Sequence, residues 1–263
     1  MTWIEALILG VLQGITEFLP VSSSGHLAIA KELFGVETQD LSFEVVVHAA
    51  TVLSTITVFG KEIWQLFKGC LKCTYNSDTR YVLMLILSML PVLGVGLFFK
   101  SQVTLLFGQG IALVGFMLLF TALLLVITRF APSQDAPFRY RDAFVMGLSQ
   151  AIAVLPGLSR SGATLSTGLL LGKDRGSVAK FSFLMVLVPV LGEALITLTS
   201  GGFALQSSNI TTLALCIGFV TAYLCGLATC RWMIALVKRA KLWVFALYCA
   251  VVGVFCLCYP FLA

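Results

Sequence analysis

At 263 residues, with 59% hydrophobic and only 11% charged side chains and a mean hydropathy of +1.01, the chain lies far outside the composition of soluble domains. It reads as an integral membrane protein without a separate soluble domain, and a net charge of +5 does not imply nucleic acid. The placement of Lys and Arg between apolar stretches carries more information than their sum, because it orients a membrane protein.

The first element, residues 3–35, is apolar at both ends and broken in the middle by PVSSSGH. Its hydrophobic start reads as the first element of a bundle rather than as a cleavable signal. Gln13 and Glu17 lie four apart and share a helical face, with Gly10 and Gly14 on an adjoining strip suited to close packing. A carboxylate inside a membrane segment is costly and marks a functional interior. The first helix is expected to stop at Pro20 and a second to begin at Ser22 to Gly25. That end offers hydroxyls and free amides of the kind that bind anions, phosphate especially. His26, directly after three serines, is a candidate for acid/base or nucleophilic work.

Three spanning helices are predicted next, at about 43–67, 80–99 and 108–130. His48, in the first, lacks comparable polar company and is at most a supporting partner. Cys70-x-x-Cys73 has neither a second pair nor a nearby histidine, so it does not read as a metal site. The six remaining cysteines fall in apolar stretches and read as small core residues. The polar stretches Lys68 to Arg80 and Arg129 to Arg141 read as loops.

Residues 142–172 form a second broken element, interrupted by PGLSRSGAT, and three more spans are predicted at about 179–199, 211–236 and 242–262. Shifting the chain by 137 places residues 5–35 on 142–172 with nine identities in 31 positions, Gln13/Gln150, Ser22/Ser159, Ser24/Ser161 and Gly25/Gly162 among them. The chain therefore reads as one membrane domain, residues 1–263, built from two repeats of about 1–130 and 142–263. Where the repeats differ, the chemistry divides. Glu17, Ser23 and His26 face Val154, Arg160 and Ala163, so the acid, hydroxyl and histidine come from one repeat and the cation from the other. A guanidinium suits bidentate contact with phosphate oxygens. Glu193, inside a predicted span, could line the cavity or hold Arg160.

If both broken elements are re-entrant helix-loop-helix hairpins and the other six stretches each cross once, twelve basic residues from Lys68 to Lys241 gather on one side, and only Lys100 lies in a loop on the other. The expected fold is all-α and polytopic: six transmembrane helices plus two re-entrant hairpins, at 3–35 and 142–172, in an inverted-topology repeat. Both termini then lie outside, with the first hairpin open to the exterior.

QGITEFLPVSSSGH at 13–26 and PGLSRSGAT at 156–164 resemble the two signatures of the undecaprenyl-diphosphate phosphatases, also called the bacitracin-resistance protein family. Length, spacing and hydropathy match over essentially the whole chain. The resemblance implies removal of the terminal phosphate of undecaprenyl diphosphate in the bacterial plasma membrane. The active site would face the periplasm or exterior, the lipid carrier would be recycled for the cell wall, and bacitracin sensitivity would fall. It also implies a divalent cation, Mg2+ or Ca2+, and is compatible with a homodimer. Carried over by position, Glu17 is the acid/base or metal-binding carboxylate, with Gln13 where some members have a second glutamate. Ser23 is the candidate nucleophile and His26 its proton partner, although His26 or water as nucleophile stays open. Arg160 is the phosphate clamp, and Ser159, Ser161 and Thr164 are supporting donors beside Ser22, Ser24 and Gly25. Broken helices in inverted repeats also suit a transporter that flips a polyprenyl phosphate.

Overall fold

The computed structural model describes residues 1–34, 42–132, 136–192, 211–238 and 242–259, and among these the regular structure is entirely helical. In chain order the helices are α1 (Trp3–Thr16), α2 (Ser23–Phe34), α3 (Ser42–Val58), α4 (Gly60–Leu71), α5 (Ser77–Phe98), α6 (Lys100–Phe107) and α7 (Ile111–Ile127). After them come α8 (Tyr140–Ile152), α9 (Arg160–Leu170), α10 (Arg175–Met185), α11 (Thr212–Lys238) and α12 (Trp243–Cys258). Four helical stretches, Ser77–Phe98, Ile111–Phe130, Arg175–Gly192 and Thr212–Lys238, are long and apolar enough to cross a bilayer. The protein is a multi-pass membrane protein.

The starts of α1 and α8 share one local chemistry. At the start of α1 the Thr2 N–H donates to Glu5 Oε2 at 2.9 Å, and at the start of α8 the Arg139 N–H donates to Asp142 Oδ2 at 2.8 Å. Glu5 and Asp142 are 137 apart, so both hairpins open with the same cap, an acid reaching back to an orphan amide. Asp142 also pairs with Lys173 at 2.7 Å, both side chains buried, which ties the two ends of the second hairpin together.

The two halves do not pack as separate bodies. Helix α1 of the first half lies on α11 of the second, while α8 of the second half lies on α5 of the first. Likewise α3 packs on α11 and α10 on α5, and α7 pairs with α12. Small residues make these approaches close. Gly10 and Gly14 of α1 meet Gly218, Ala222 and Gly226 of α11, and a Cβ on Gly147 of α8 would stand 2.3 Å from the Ser88 carbonyl oxygen of α5. At the α7–α12 crossing Gly115 and Gly253 each face the other's carbonyl oxygen, at 2.7 and 2.8 Å from the would-be Cβ.

Several sequence expectations need correction. The span predicted at 43–67 is not one helix: α3 and α4 meet at Phe59 with a bend of 74°. Phe59 leaves helical geometry while its buried ring packs against Phe183, and α4 departs carrying Trp64, Phe67 and Lys68 on its exposed side. Averaged hydropathy hides such a break because it sees composition and not backbone direction. The stretch from Lys68 to Arg80 is helical at both ends, and residues 100–107, expected as loop, form α6. Of the cysteines read as core, Cys230, Cys249 and Cys256 are buried, whereas Cys216 and Cys258 are exposed on outward helix faces. Glu193 lies outside the described residues.

Gly147→Ala is expected to destabilise the protein by about 1–3 kcal/mol, because its methyl meets backbone that cannot yield. Gly94→Ala, in α5 with nothing within 4 Å of the added carbon, should be neutral or stabilising. Thermal unfolding of the two variants in detergent checks this, and equal shifts would contradict the packing described.

Candidate functional site

The site begins where α1 ends. Glu17 closes that helix, its N–H donating to the Gln13 carbonyl at 3.0 Å, and the turn from Phe18 to Val21 is buried. The helix therefore stops at Thr16, four residues before the proline expected to end it. Ser22 follows at φ +70°, a left-handed conformation that costs a non-glycine residue about 1–2 kcal/mol. Its own atoms hold it there. The Ser22 Oγ accepts the Gly25 N–H at 3.2 Å, and its carbonyl accepts the His26 N–H at 3.1 Å and the His26 Nδ1–H at 2.8 Å.

This turn delivers Ser23, the first residue of α2, to Glu17. The Ser23 hydroxyl donates to Glu17 Oε2 at 2.6 Å, and Gln13 Nε2 donates to the same oxygen at 3.0 Å. The His48 Nε2 lies 3.7 Å from it. The other carboxylate oxygen, Oε1, is taken by the Arg160 guanidinium. A carboxylate side chain only 8% exposed is thus satisfied on both oxygens by hydrogen bonds from Gln13, Ser23 and Arg160, on three helices.

Arg160 arrives on a turn whose left-handed residue is a glycine. Gly157 sits at φ +89°, where a side chain would be strained and would also collide with the Val114 carbonyl. Ser159 caps α9, its Oγ accepting the Gly162 N–H at 3.0 Å, and its own N–H donates to Thr121 Oγ1 of α7 at 3.0 Å. The Ser161 hydroxyl donates to the Leu19 carbonyl at 2.9 Å, joining one hairpin tip to the other. Thr164 Oγ1 lies 2.6 Å from Ser182 Oγ.

The structure thus brings together Gln13, Glu17, Ser23 and Arg160. It uses Ser22, Ser24, Gly25 and Ser159 to build the turns: the Ser22–Ser24 hydroxyl contact of 3.4 Å recurs as Ser159–Ser161 at 3.3 Å. His26 is not turned toward Ser23. Its Nδ1 is occupied by the Ser22 carbonyl, and its Nε2 lies 2.7 Å from the Tyr248 hydroxyl of α12.

A cleft runs beside Glu17 and Arg160, lined also by Phe18, Thr51, Thr55, Ser161, Ser182 and Phe183. Sequence reasoning missed Thr51, Thr55 and Ser182. A signal for the threonines exists, since Glu44, His48, Thr51 and Thr55 recur at spacings of four, three and four along the otherwise apolar α3. Ser182 and Tyr248 carry no such pattern.

The donors fit a hard cation in part. Glu17 supplies a carboxylate, and the buried Gln13 Oε1 has no hydrogen-bond partner. Mg2+ and Ca2+ favour oxygen ligands, and Mg2+ commonly takes one or two from protein and the rest from substrate phosphate and water.

The match with known proteins is extensive. The family model described as bacitracin resistance protein BacA covers residues 6–255. An undecaprenyl-diphosphatase of Bacteroides fragilis strain YCH46 is 53% identical over 258 residues, 97% of each chain. One from Parabacteroides distasonis is 50% identical over 258 residues, 96% of each chain. One from Methanobrevibacter smithii is 34% identical over 270 residues, covering 97% of this chain and 96% of its own.

The Glu17–Arg160 pair joins the two hairpins, and removing either partner strands the other in a mostly dry site. Glu17→Ala and Arg160→Ala are each expected to lower stability, and the double variant to lose less than the sum by about 1–3 kcal/mol. A double-mutant cycle on thermal unfolding in detergent measures this coupling, and strict additivity would mean that the pair does not hold the tips together.

Proposed function

The chain belongs to the bacitracin resistance protein BacA family, and from that premise we infer that it hydrolyses undecaprenyl diphosphate to undecaprenyl phosphate and inorganic phosphate. Such an enzyme recycles the cell-wall lipid carrier and lowers sensitivity to bacitracin. The observation that carries the mechanism is the Ser23 hydroxyl donating to a Glu17 carboxylate that also holds Arg160. Hydroxyl, base and phosphate-binding cation meet at one point, as nucleophilic phosphoryl transfer requires.

In the proposed reaction the terminal phosphate of the lipid enters the cleft and takes over the guanidinium of Arg160. Ser23 Oγ attacks the terminal phosphorus as Glu17 accepts its proton, the bond to the bridging oxygen breaks, and Glu17 hands that proton to the freed oxygen as undecaprenyl phosphate leaves, which restores the carboxylate. Water then attacks the phosphoserine, delivering a proton to Glu17 and releasing phosphate, and Ser23 recovers its hydroxyl hydrogen from Glu17. Arg160 and the amides at the start of α2 and α9 balance the charge that builds on the phosphoryl oxygens. A divalent cation, Mg2+ or Ca2+, would supply further charge neutralisation on the diphosphate, held by Glu17 and the free oxygen of Gln13. The gathering of Gln13, Ser23 and Arg160 on one carboxylate, drawn unequally from the two repeats, favours a fixed catalytic centre over a flippase.

The membrane arrangement proposed with this function has six spans and two re-entrant hairpins inserted from opposite faces. Two observations support it: the reciprocal packing of α1 on α11 and α8 on α5, and the loop charges. The bend at Phe59 sends α4 off the line of α3, with Lys68 5.2 Å above the Trp64 ring, a pairing suited to a headgroup layer. Both termini and the mouth of the site then face the exterior of the plasma membrane.

Purified protein in detergent should release phosphate from undecaprenyl diphosphate in the presence of Mg2+ or Ca2+, and Glu17→Ala or Arg160→Ala should each lose at least about a hundredfold in kcat/KM. With terminally labelled substrate, rapid quenching should trap label on the protein in the wild type and not in Ser23→Ala; label retained by Ser23→Ala would move the nucleophile elsewhere. Gln13→Glu, which adds a second carboxylate, should lower the Mg2+ concentration giving half-maximal rate. A metal titration of the two proteins reads this directly, and an unchanged midpoint would place the cation away from Gln13.

A further inference from the structure

We propose that Tyr248 is a positioning residue of the reaction, acting through His26 to hold the turn that presents Ser23. The inference rests on the phosphatase reading for its kinetic arm only. His26 is buried, and its Nδ1 lies 2.8 Å from the Ser22 carbonyl oxygen. A carbonyl only accepts, so Nδ1 carries the ring proton and Nε2 of the neutral imidazole presents a lone pair. The group facing that lone pair is the Tyr248 hydroxyl, 2.7 Å away, which therefore donates. The rings also stack, with centroids 5.5 Å apart and an interplanar angle of 11°.

The next residue of α12 grips the same tip from its other flank. Cys249 is fully buried, and its Sγ–H points to the Pro20 carbonyl at 3.6 Å. One turn of a helix from the second half thus clasps the first hairpin on either side of Ser22, the residue held at φ +70°. The second hairpin is held in the corresponding way, with Thr121 of α7 receiving the Ser159 N–H. Without the tyrosine hydroxyl, Nε2 is left unpartnered in a buried site, the ring is free to turn, and the Ser22 carbonyl loses its second donor. Ser23 follows Ser22 directly, so its hydroxyl would no longer be kept on Glu17. His26 thereby acts as the buttress of the turn, with both ring nitrogens engaged away from the Ser23 hydroxyl.

The test compares full-length wild type, Tyr248→Phe, His26→Ala and the double variant in detergent. Tyr248→Phe keeps the ring and removes only the donor. It should lower kcat roughly tenfold with little change in KM, and add no further loss in the His26→Ala background. The chain has only two histidines, so 15N spectra of the imidazoles are readily assigned. His26 should show the Nδ1–H tautomer in wild type, and its Nε2 signal should shift in Tyr248→Phe. A tyrosine that merely packs would lower the melting temperature and leave kcat per folded molecule intact. That result, an additive double variant, or an unmoved His26 signal overturns the proposal. Wild type that releases no phosphate would retire the phosphatase reading, and the imidazole spectra would still decide the tyrosine–histidine bond.

Discussion

Everything in this protein turns on a carboxylate and a guanidinium that meet in a region too apolar for either to stand alone. Glu17 and Arg160 are 143 residues apart and sit at the tips of different hairpins. Their attraction needs the tips to be brought together, and the apolar surroundings make the unpaired state costly. Around that pair the remaining groups find places: Ser23 and Gln13 on one oxygen of Glu17, the guanidinium on the other.

The scaffold that holds the tips is made of backbone approaches. Glycines allow α1 to seat on α11 and α8 on α5, and α7 meets α12 through Gly115 and Gly253. From the α7–α12 pair Thr121 reaches one tip and Tyr248 and Cys249 reach the other. The unfavourable backbone of Ser22 persists because hydrogen bonds from Gly25 and His26 over-determine it. Because the halves interlock, neither can rock as a rigid body without dragging the other's hairpin, which fits a stationary chemical centre better than alternating access.

Much of this was legible in the chain, and the repeat explains why. Residues identical between the hairpins, such as Ser22/Ser159 and Gly25/Gly162, make the same turn bonds in both places. Residues that differ, Glu17, Ser23, His26 and Arg160, are those aimed at chemistry or held by a special partner. The shared serines and glycines, expected from the sequence to bind phosphate, are engaged in these turns. What stayed hidden depended on partners far along the chain. Nothing near His26 announces that its ring will be met by a tyrosine 222 residues later, so the serine beside it looked like the natural partner. Nor can composition reveal that Phe59 turns the backbone, since apolar character continues through the bend. Gln150 marks the opposite case. It repeats Gln13, yet its counterpart of Glu17 is Val154, and both polar atoms of its buried amide are without partners among the described residues.

The exchange of helices between halves also sets an order of events during synthesis. Helix α1 is made first, but the surface it packs on, α11, begins more than two hundred residues later, at Thr212. At ribosomal speeds of about 5–20 residues per second, Arg160 emerges roughly seven to thirty seconds after Glu17. Through that interval the leading hairpin has neither its neighbour nor its counter-charge, so it must wait at the wet edge of the bilayer or in the shelter of the insertion machinery. The architecture that makes the finished site rigid makes its assembly the work of the last helices to arrive.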